Sequence, residues 1–303
     1  MRRNLYTPDT DNEENIFLFY NFCPSICQHI IDFPKKEYIK WGIFPKHNYP
    51  QFNIDSIKDG DKVYVKPDLI DIFFSRYFKD IKTKFILITS GGALGIPPRF
   101  KIFLDNPKIL KWYGTNIMFS HDKIHKIPIG FEENERKRGG SADGIGGDQK
   151  LLSSLYDDKI NFNDKKDKIL ITYIGNTHES RREIFDKLNI NLYDKLEKIP
   201  FDKYMEKINE YKFVLCPRGF GIDTHRFWET LLMGSVPIVE KSELDDLYDK
   251  FPCIIINSFN DINKDLLDNF LYNFEKSKNI ENYLILDNFL YLFDYQKCLN
   301  GQK

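Results

Sequence analysis

The chain has no long apolar run and no surplus of either charge. None of its apolar stretches approaches the ~20 residues of a membrane span. The first residues, MRRNLYTPDTDNEEN, lack the apolar core of a signal peptide. The expectation is a soluble, cytoplasmic protein without a transmembrane segment, with peripheral membrane association left open. Lysine and arginine total 44 against 45 aspartate and glutamate, a formal net charge of −1. That balance argues against a general nucleic-acid binder, which carries a basic surplus. Cysteine is scarce: five residues, at 23, 27, 216, 253 and 298, an odd number without a framework pattern. A reducing compartment fits this better than a disulfide-stapled secreted domain. Cys23, Cys27 and His29 have no second ligand pair near them, so buried thiols in an apolar helix from Ile16 to Ile31 are expected rather than a metal site. What is plentiful is apolar and aromatic surface. At 42% hydrophobic and 15% aromatic over 303 residues, the chain suits two domains of about 150 residues each, or one large one.

Strand-like and helix-like segments alternate along both halves, the pattern of an α/β fold. In the first half, Val63–Val65 and Phe85–Thr89 read as strands and Leu69–Ile81 as an aromatic-rich helix. Ile109–Tyr113 looks helical, and Ile117–Phe119 and Ile124–Ile129 look like short strands. The stretch from Glu132 to Lys150 is charged and then glycine-rich, and is the best linker candidate. Beyond it, Lys168–Ile174 reads as a strand, followed by a polar loop with Asn176 and Thr177, either of which could cap a helix that starts with Arg181 and Arg182. The expected domains are 1–145 and 146–285, with a terminal helix at 286–303.

The densest chemistry lies in KFVLCPRGFGIDTHRFWETLLMGSVPIVEK, Lys212 to Lys241. It reads as strand, glycine-containing loop, helix and second strand, the unit that builds a parallel sheet. Phe227, Trp228, Leu231 and Leu232 form one helical stripe, and Arg226, Glu229, Thr230 and Met233 the opposite one. Asp223 or Thr224 suits the N-cap and Gly234 the residue that ends the helix. The sign of charge at the helix start is anomalous. A helix N-terminus prefers acids, yet Arg218, His225 and Arg226 gather there. Free backbone N–H groups beside cationic side chains suit a polyanion such as a diphosphate. A solvated face with an Arg226–Glu229 pair is the alternative, although arginine ahead of glutamate is the weaker order.

Arg218-Gly219, Asp223-Thr224-x-Arg226 and Trp228-Glu229-x-Leu231-x-x-Gly234-x-x-Pro237-Ile238 together resemble the donor motif of exostosin-like glycosyltransferases. A second stretch is similar to the same family: Trp112 to Asn116, His121-Asp122-Lys123 and Ile127-Pro128-Ile129-Gly130. The resemblance implies a GT-B fold, two Rossmann-like domains facing a central cleft, with a nucleotide-sugar held mainly by the second. It also implies inverting transfer from a nucleotide-diphosphate donor, expected to be a UDP-sugar, to a hydroxyl of a glycan or other acceptor. In such enzymes the helix acid, here Glu229, binds ribose or sugar hydroxyls, and Arg218 and Arg226 neutralise the diphosphate. Gly219, Asp223, Thr224, His225, Asn176 and Arg181 complete the expected donor side.

On the acceptor side, His121 is the candidate general base, with His125, Glu132 and Glu133 as rivals. Ser90, Gly91 and Gly92 follow a strand, and with Asn116 they could line the cleft. Pro97-Pro98 bars the helix that a dinucleotide fingerprint needs there, which argues against a nicotinamide enzyme. Asp59-Gly60-Asp61 has the D-x-D form of metal-dependent glycosyltransferases, but its polar setting reads as a turn. No metal and no cofactor beyond the nucleotide-sugar co-substrate are therefore expected. A fucosyltransferase-like enzyme using a GDP-sugar, and a non-catalytic nucleotide- or glycan-binding module, are the alternatives.

Overall fold

Alternation of short apolar runs with helical turns produces two separate parallel sheets in the computed structural model, which describes residues 23, 27–32, 52–92, 94–132 and 149–276. The chain divides into two units, the first reaching Pro128 and the second starting at Ile129. The sequence pattern predicts this boundary at 145/146, in the glycine-rich stretch. Glu133, most of the expected linker and the expected terminal helix at 286–303 lie outside the described residues.

The first unit holds β1 (His29–Ile31), β2 (Lys62–Val65), β3 (Phe85–Thr89), β4 (Ile109–Gly114) and β5 (Ile124–Lys126), all parallel and in that spatial order. Parallel sheets are covered on both faces, so their strands read as near-continuous apolar runs such as Phe85–Thr89. Pro67–Tyr77 winds as a 3-10 turn, a short α-helix α1 (Ile70–Ile72) and a π turn, rather than as the single helix expected over 69–81. The wide turn closes through Phe78 N–H donating to Phe73 C=O at 2.9 Å. It gathers Phe73, Phe74 and Phe78 into a core with Phe85, Phe100 and Trp112.

Two expectations from periodicity fail here. His29–Ile31, placed in an apolar helix, is instead a strand paired with Val63–Val65. Ile109–Tyr113, read as helical, is β4. Its ladder to β3 skips Leu110, since Phe85 pairs with Ile109 and Ile86 with Lys111. The bulge turns Leu110 and Lys111 outward together and leaves Ile109, Trp112 and Tyr113 buried, a three-and-four spacing that imitates a helix. Of Ile117–Phe119, Ile117 forms an isolated parallel bridge with Ile96. Asp59-Gly60-Asp61 is a turn, with Gly60 at φ 87° and Asp61 Oδ2 accepting from Lys58 N–H at 2.9 Å.

Gly114 closes β4 where no side chain fits. An added Cβ would lie 2.3 Å from Thr89 Oγ1, the acceptor of Trp112 Nε1–H, and 2.6 Å from Ile117 Cδ1. Gly114→Ala is expected to lower the unfolding free energy by about 1–3 kcal/mol through overpacking. Urea unfolding measures this, and a midpoint equal to that of the wild type would contradict it.

The second unit holds β6 (Lys166–Ile171), β7 (Tyr193–Lys195), β8 (Tyr211–Leu215), β9 (Val236–Glu240) and β10 (Ile254–Ile256), parallel, in the order β10-β9-β8-β6-β7. Its helices are α2 (Gln149–Asp157), α3 (Ile184–Lys187), α4 (Phe201–Asn209), α5 (His225–Leu232), α6 (Asp245–Tyr248) and α7 (Lys264–Lys276). From β6 the chain steps outward to β7, then α4 carries it back to β8 on the other side of β6. Strand order reverses between β6 and β8, and ligands of open α/β sheets bind at the carboxyl ends flanking such a reversal. The expected α/β class with two Rossmann-like units is therefore what the chain adopts.

Candidate functional site

The loops leaving β6 and β8 meet at that reversal. The first runs from Thr172 to His178, and the second from Cys216 through Pro217, Arg218 and Gly219 to Thr224, where α5 begins. Arg181 ties them together. Its guanidinium donates to Arg218 C=O at 2.6 Å and Pro217 C=O at 2.9 Å on one loop, and to Gly175 C=O at 3.2 Å on the other. Arg226, in the first turn of α5, donates from Nη2 to Tyr173 C=O at 2.9 Å. Burial first, and then the charge of Arg226, push Arg181 down to about 10. Gly219 lies between these groups, since a Cβ there would sit 3.2 Å from Thr177 Oγ1 and 3.3 Å from Arg181 Nη2.

Several donors at this point are buried and bond to nothing among the described residues: Nε of Arg218, Nε and Nη1 of Arg226, and the hydroxyls of Thr172 and Thr177. A guanidinium withdrawn from water without an acceptor is costly, so these groups define a place for an anion. Arg181 lies against Gly219 and the Arg218 carbonyl, with the charge of Arg226 acting on it. Arg181 differs in role, because its side chain braces the two loops. Asn176 is exposed and accepts from Arg182 Nε at 3.2 Å. Neither Asn176 nor Thr177 caps the following turn; His178 does, its Nδ1 accepting from Ser180 N–H at 3.2 Å.

α5 is framed as the residues suggest at its ends but not along its length. Thr224 is the N-cap with extended backbone and no capping side-chain bond, and Gly234 at φ 64° ends the helix. Lys165 reaches beneath it, donating from Nζ to Met233 C=O at 2.9 Å and Asn209 C=O at 2.6 Å. Apart from the half-buried Arg226, both stripes are buried: Glu229, Thr230 and Met233 have no more exposure than Phe227 or Trp228. Glu229, expected to hold donor hydroxyls, has no exposed surface, and its Oε2 accepts from Tyr204 OH on α4 at 2.9 Å. The sequence could not show this, because the cover over Glu229 comes from α4.

Asp223 and His225 face inward as well. The Asp223 carboxylate accepts from Ile129 N–H at 2.7 Å, Trp228 Nε1–H at 3.0 Å and Tyr248 OH at 3.2 Å. Burial, the largest influence, raises it to about 6 against these bonds. His225 Nδ1 donates to Gly130 C=O at 2.7 Å, and its Nε2 lies 3.6 Å from Glu132 Oε2. The end of the Ile127–Gly130 motif is thus fastened to the start of α5 by two residues expected to touch the donor.

The acceptor-side candidates belong to the first unit, apart from Glu132. Ser90 C=O accepts from Tyr64 OH at 2.7 Å, and Gly91 has φ 79°. Gly92 is pressed against Pro67, where a Cβ would come within 2.8 Å. Asn116 is buried at φ 53°, an unusual conformation for a residue with a side chain, and its C=O accepts from Ile96 N–H at 2.8 Å. His121 Nδ1 accepts from Lys123 N–H at 3.1 Å, which puts the ring proton on Nε2. His125 stacks on Tyr113 with ring centroids 4.8 Å apart. Among the described residues, no group of three or more His, Cys, Asp or Glu side chains is arranged to hold a metal, and no helix is long and apolar enough to cross a membrane.

No family model and no curated protein matches the chain. Solved structures similar to it include an alpha1,3-fucosyltransferase, 11% identical with a TM-score of 0.37, covering 80% of this chain and 91% of that one. Another is an alpha1,3-fucosyltransferase with GDP-fucose, 13% identical with a TM-score of 0.39, covering 83% of this chain and 80% of that one.

Proposed function

We propose that the chain is a glycosyltransferase that binds the diphosphate of a nucleotide-sugar at the carboxyl ends of β6 and β8 and passes the sugar to a hydroxyl acceptor with inversion. The observation that carries this is the set of buried, unmatched donors on Arg218, Arg226, Thr172 and Thr177 at the reversal of strand order. Cleavage of the bond between the sugar's anomeric carbon and the phosphate oxygen leaves that electron pair on the departing diphosphate, as a second charge on its terminal phosphate. Fixed guanidinium and hydroxyl donors that meet this charge without reorganising lower the barrier. Arginine charge at this place does what a divalent cation does elsewhere, so the reading includes no metal. The resemblance of residues 212–241 to the exostosin-like donor motif supports the same assignment and favours a UDP-sugar.

Acceptor deprotonation needs a base with a free lone pair. His121 qualifies only when the Lys123 amide releases Nδ1, because Nε2 carries the proton in the bonded ring. A thermal-shift panel of UDP, GDP and their sugar conjugates tests the donor half. A matching nucleotide at a hundred times its Kd is expected to add about 2.7 kcal/mol of apparent stability. If no nucleoside diphosphate raises the melting temperature, the reading is wrong. Donor hydrolysis without acceptor separates an enzyme from a binding module.

A further inference from the structure

Both loops around the guanidinium cluster also present an aromatic ring to solvent: Tyr173 is 46% exposed and Phe220 51% exposed. Phe220 is the more unusual of the two. It stands at the apex of a Gly219-Phe220-Gly221 turn closed by Gly219 N–H donating to Gly221 C=O at 2.9 Å. Its neighbours Gly219, Gly221 and Ile222 are buried, and Gly219 is bracketed by Thr177 and Arg181. The ring is therefore held out by a backbone that is itself fixed. A single exposed aromatic residue elsewhere on a surface needs no explanation. This one lies two residues from Arg218, whose buried Nε lacks a partner, and its loop borders the buried, unmatched hydroxyl of Thr177.

We propose that Phe220 is the stacking platform for the nucleobase of a nucleoside diphosphate whose phosphates lie on Arg218 and Arg226. The assignment rests on the anion site proposed above and specifies its ligand class. Every base has a π face, and an aromatic ring beside a phosphate site recognises a planar ring joined to that phosphate. Phe220 determines affinity for the base and takes no part in bond breaking.

Calorimetric titration of the full chain with inorganic pyrophosphate, UDP and GDP tests this. Phe220→Ala is expected to weaken UDP or GDP binding about 5- to 100-fold, the range that loss of one stacked base gives. Pyrophosphate binding is expected to stay within about twofold, which also shows that the variant keeps its fold. Phe220→Trp is expected to restore nucleotide affinity. Equal loss for pyrophosphate and nucleotides would overturn the proposal, since the ring would then act through loop shape. Unchanged nucleotide affinity would overturn it too, as would a wild type that binds pyrophosphate as tightly as UDP and GDP. A wild type that binds none of the three refutes the anion site instead, and an Arg226→Ala variant that loses all three together supports that site independently of stacking.

Discussion

Arg226→Ala is expected to abolish the stabilisation that a nucleoside diphosphate confers, with affinity falling about 100-fold or more. Its Nε and Nη1 are buried without acceptors, while Nη2 alone is bonded, to Tyr173 C=O. Two charge-assisted bonds to a phosphate oxygen are worth about 1.5–3 kcal/mol each, so removing both donors is enough for that loss. The unliganded fold should change little, because the bond given up is a solvent-exposed one to a loop carbonyl. Arg226→Lys keeps the charge but not the planar fork, and should recover only part of the affinity. Titration calorimetry with UDP and GDP, together with unfolding of the free protein, reads both quantities. An alanine variant that binds as tightly as the wild type would show that these donors serve the fold alone.

The largest effect on stability is expected at Asp223. Replacement by alanine leaves Ile129 N–H, Trp228 Nε1–H and Tyr248 OH facing a void. Each buried donor without an acceptor costs about 1–3 kcal/mol, so Asp223→Ala should destabilise the protein by at least about 3 kcal/mol. It should also free the Ile129 amide from the start of α5, leaving Gly130 held by His225. The acid has a pH signature of known sign. Burial raises it from 3.8 to about 6, so across that window the folded state holds a proton that the unfolded state has lost. The contribution of this group to stability therefore falls as pH rises from 3.8 to about 6 and is level above. Urea unfolding of wild type and Asp223→Asn across that range should show the slope in the first and its loss in the second. Parallel pH profiles for the two proteins would refute the assignment.

Much of the second unit was legible along the chain. The apolar run at Phe213, the glycines of the loop, the helix from His225 and its end at Gly234 all appear where local pattern puts them. The gathering of arginines at a helix start was visible too, because it violates the dipole preference within a few residues. The failures share a different cause. β4 looked helical because a bulge against β3 turned two consecutive side chains outward, and a bulge is a property of the pair of strands. Glu229 looked available because nothing in its own helix shows that α4 and Tyr204 cover it. Phe220 is not legible in the sequence, because an aromatic residue in a loop has no period and its exposure depends on how its glycine neighbours are held.

From its sequence alone, this protein was bound to build parallel sheets from apolar runs and to place Arg218 and Arg226 on either side of a strand-to-helix loop, because those facts depend on neighbours a few residues away. Tertiary structure decided which cations keep buried donors without an acceptor among the described residues. It turned Arg181, forty-five positions from Arg226, into the brace between two loops, and it withdrew Asp223, His225 and Glu229 into hydrogen bonds with Ile129, Gly130 and Tyr204. Burial removes a polar side chain from water and obliges it to find partners, and which partners lie within reach is settled only when distant segments pack.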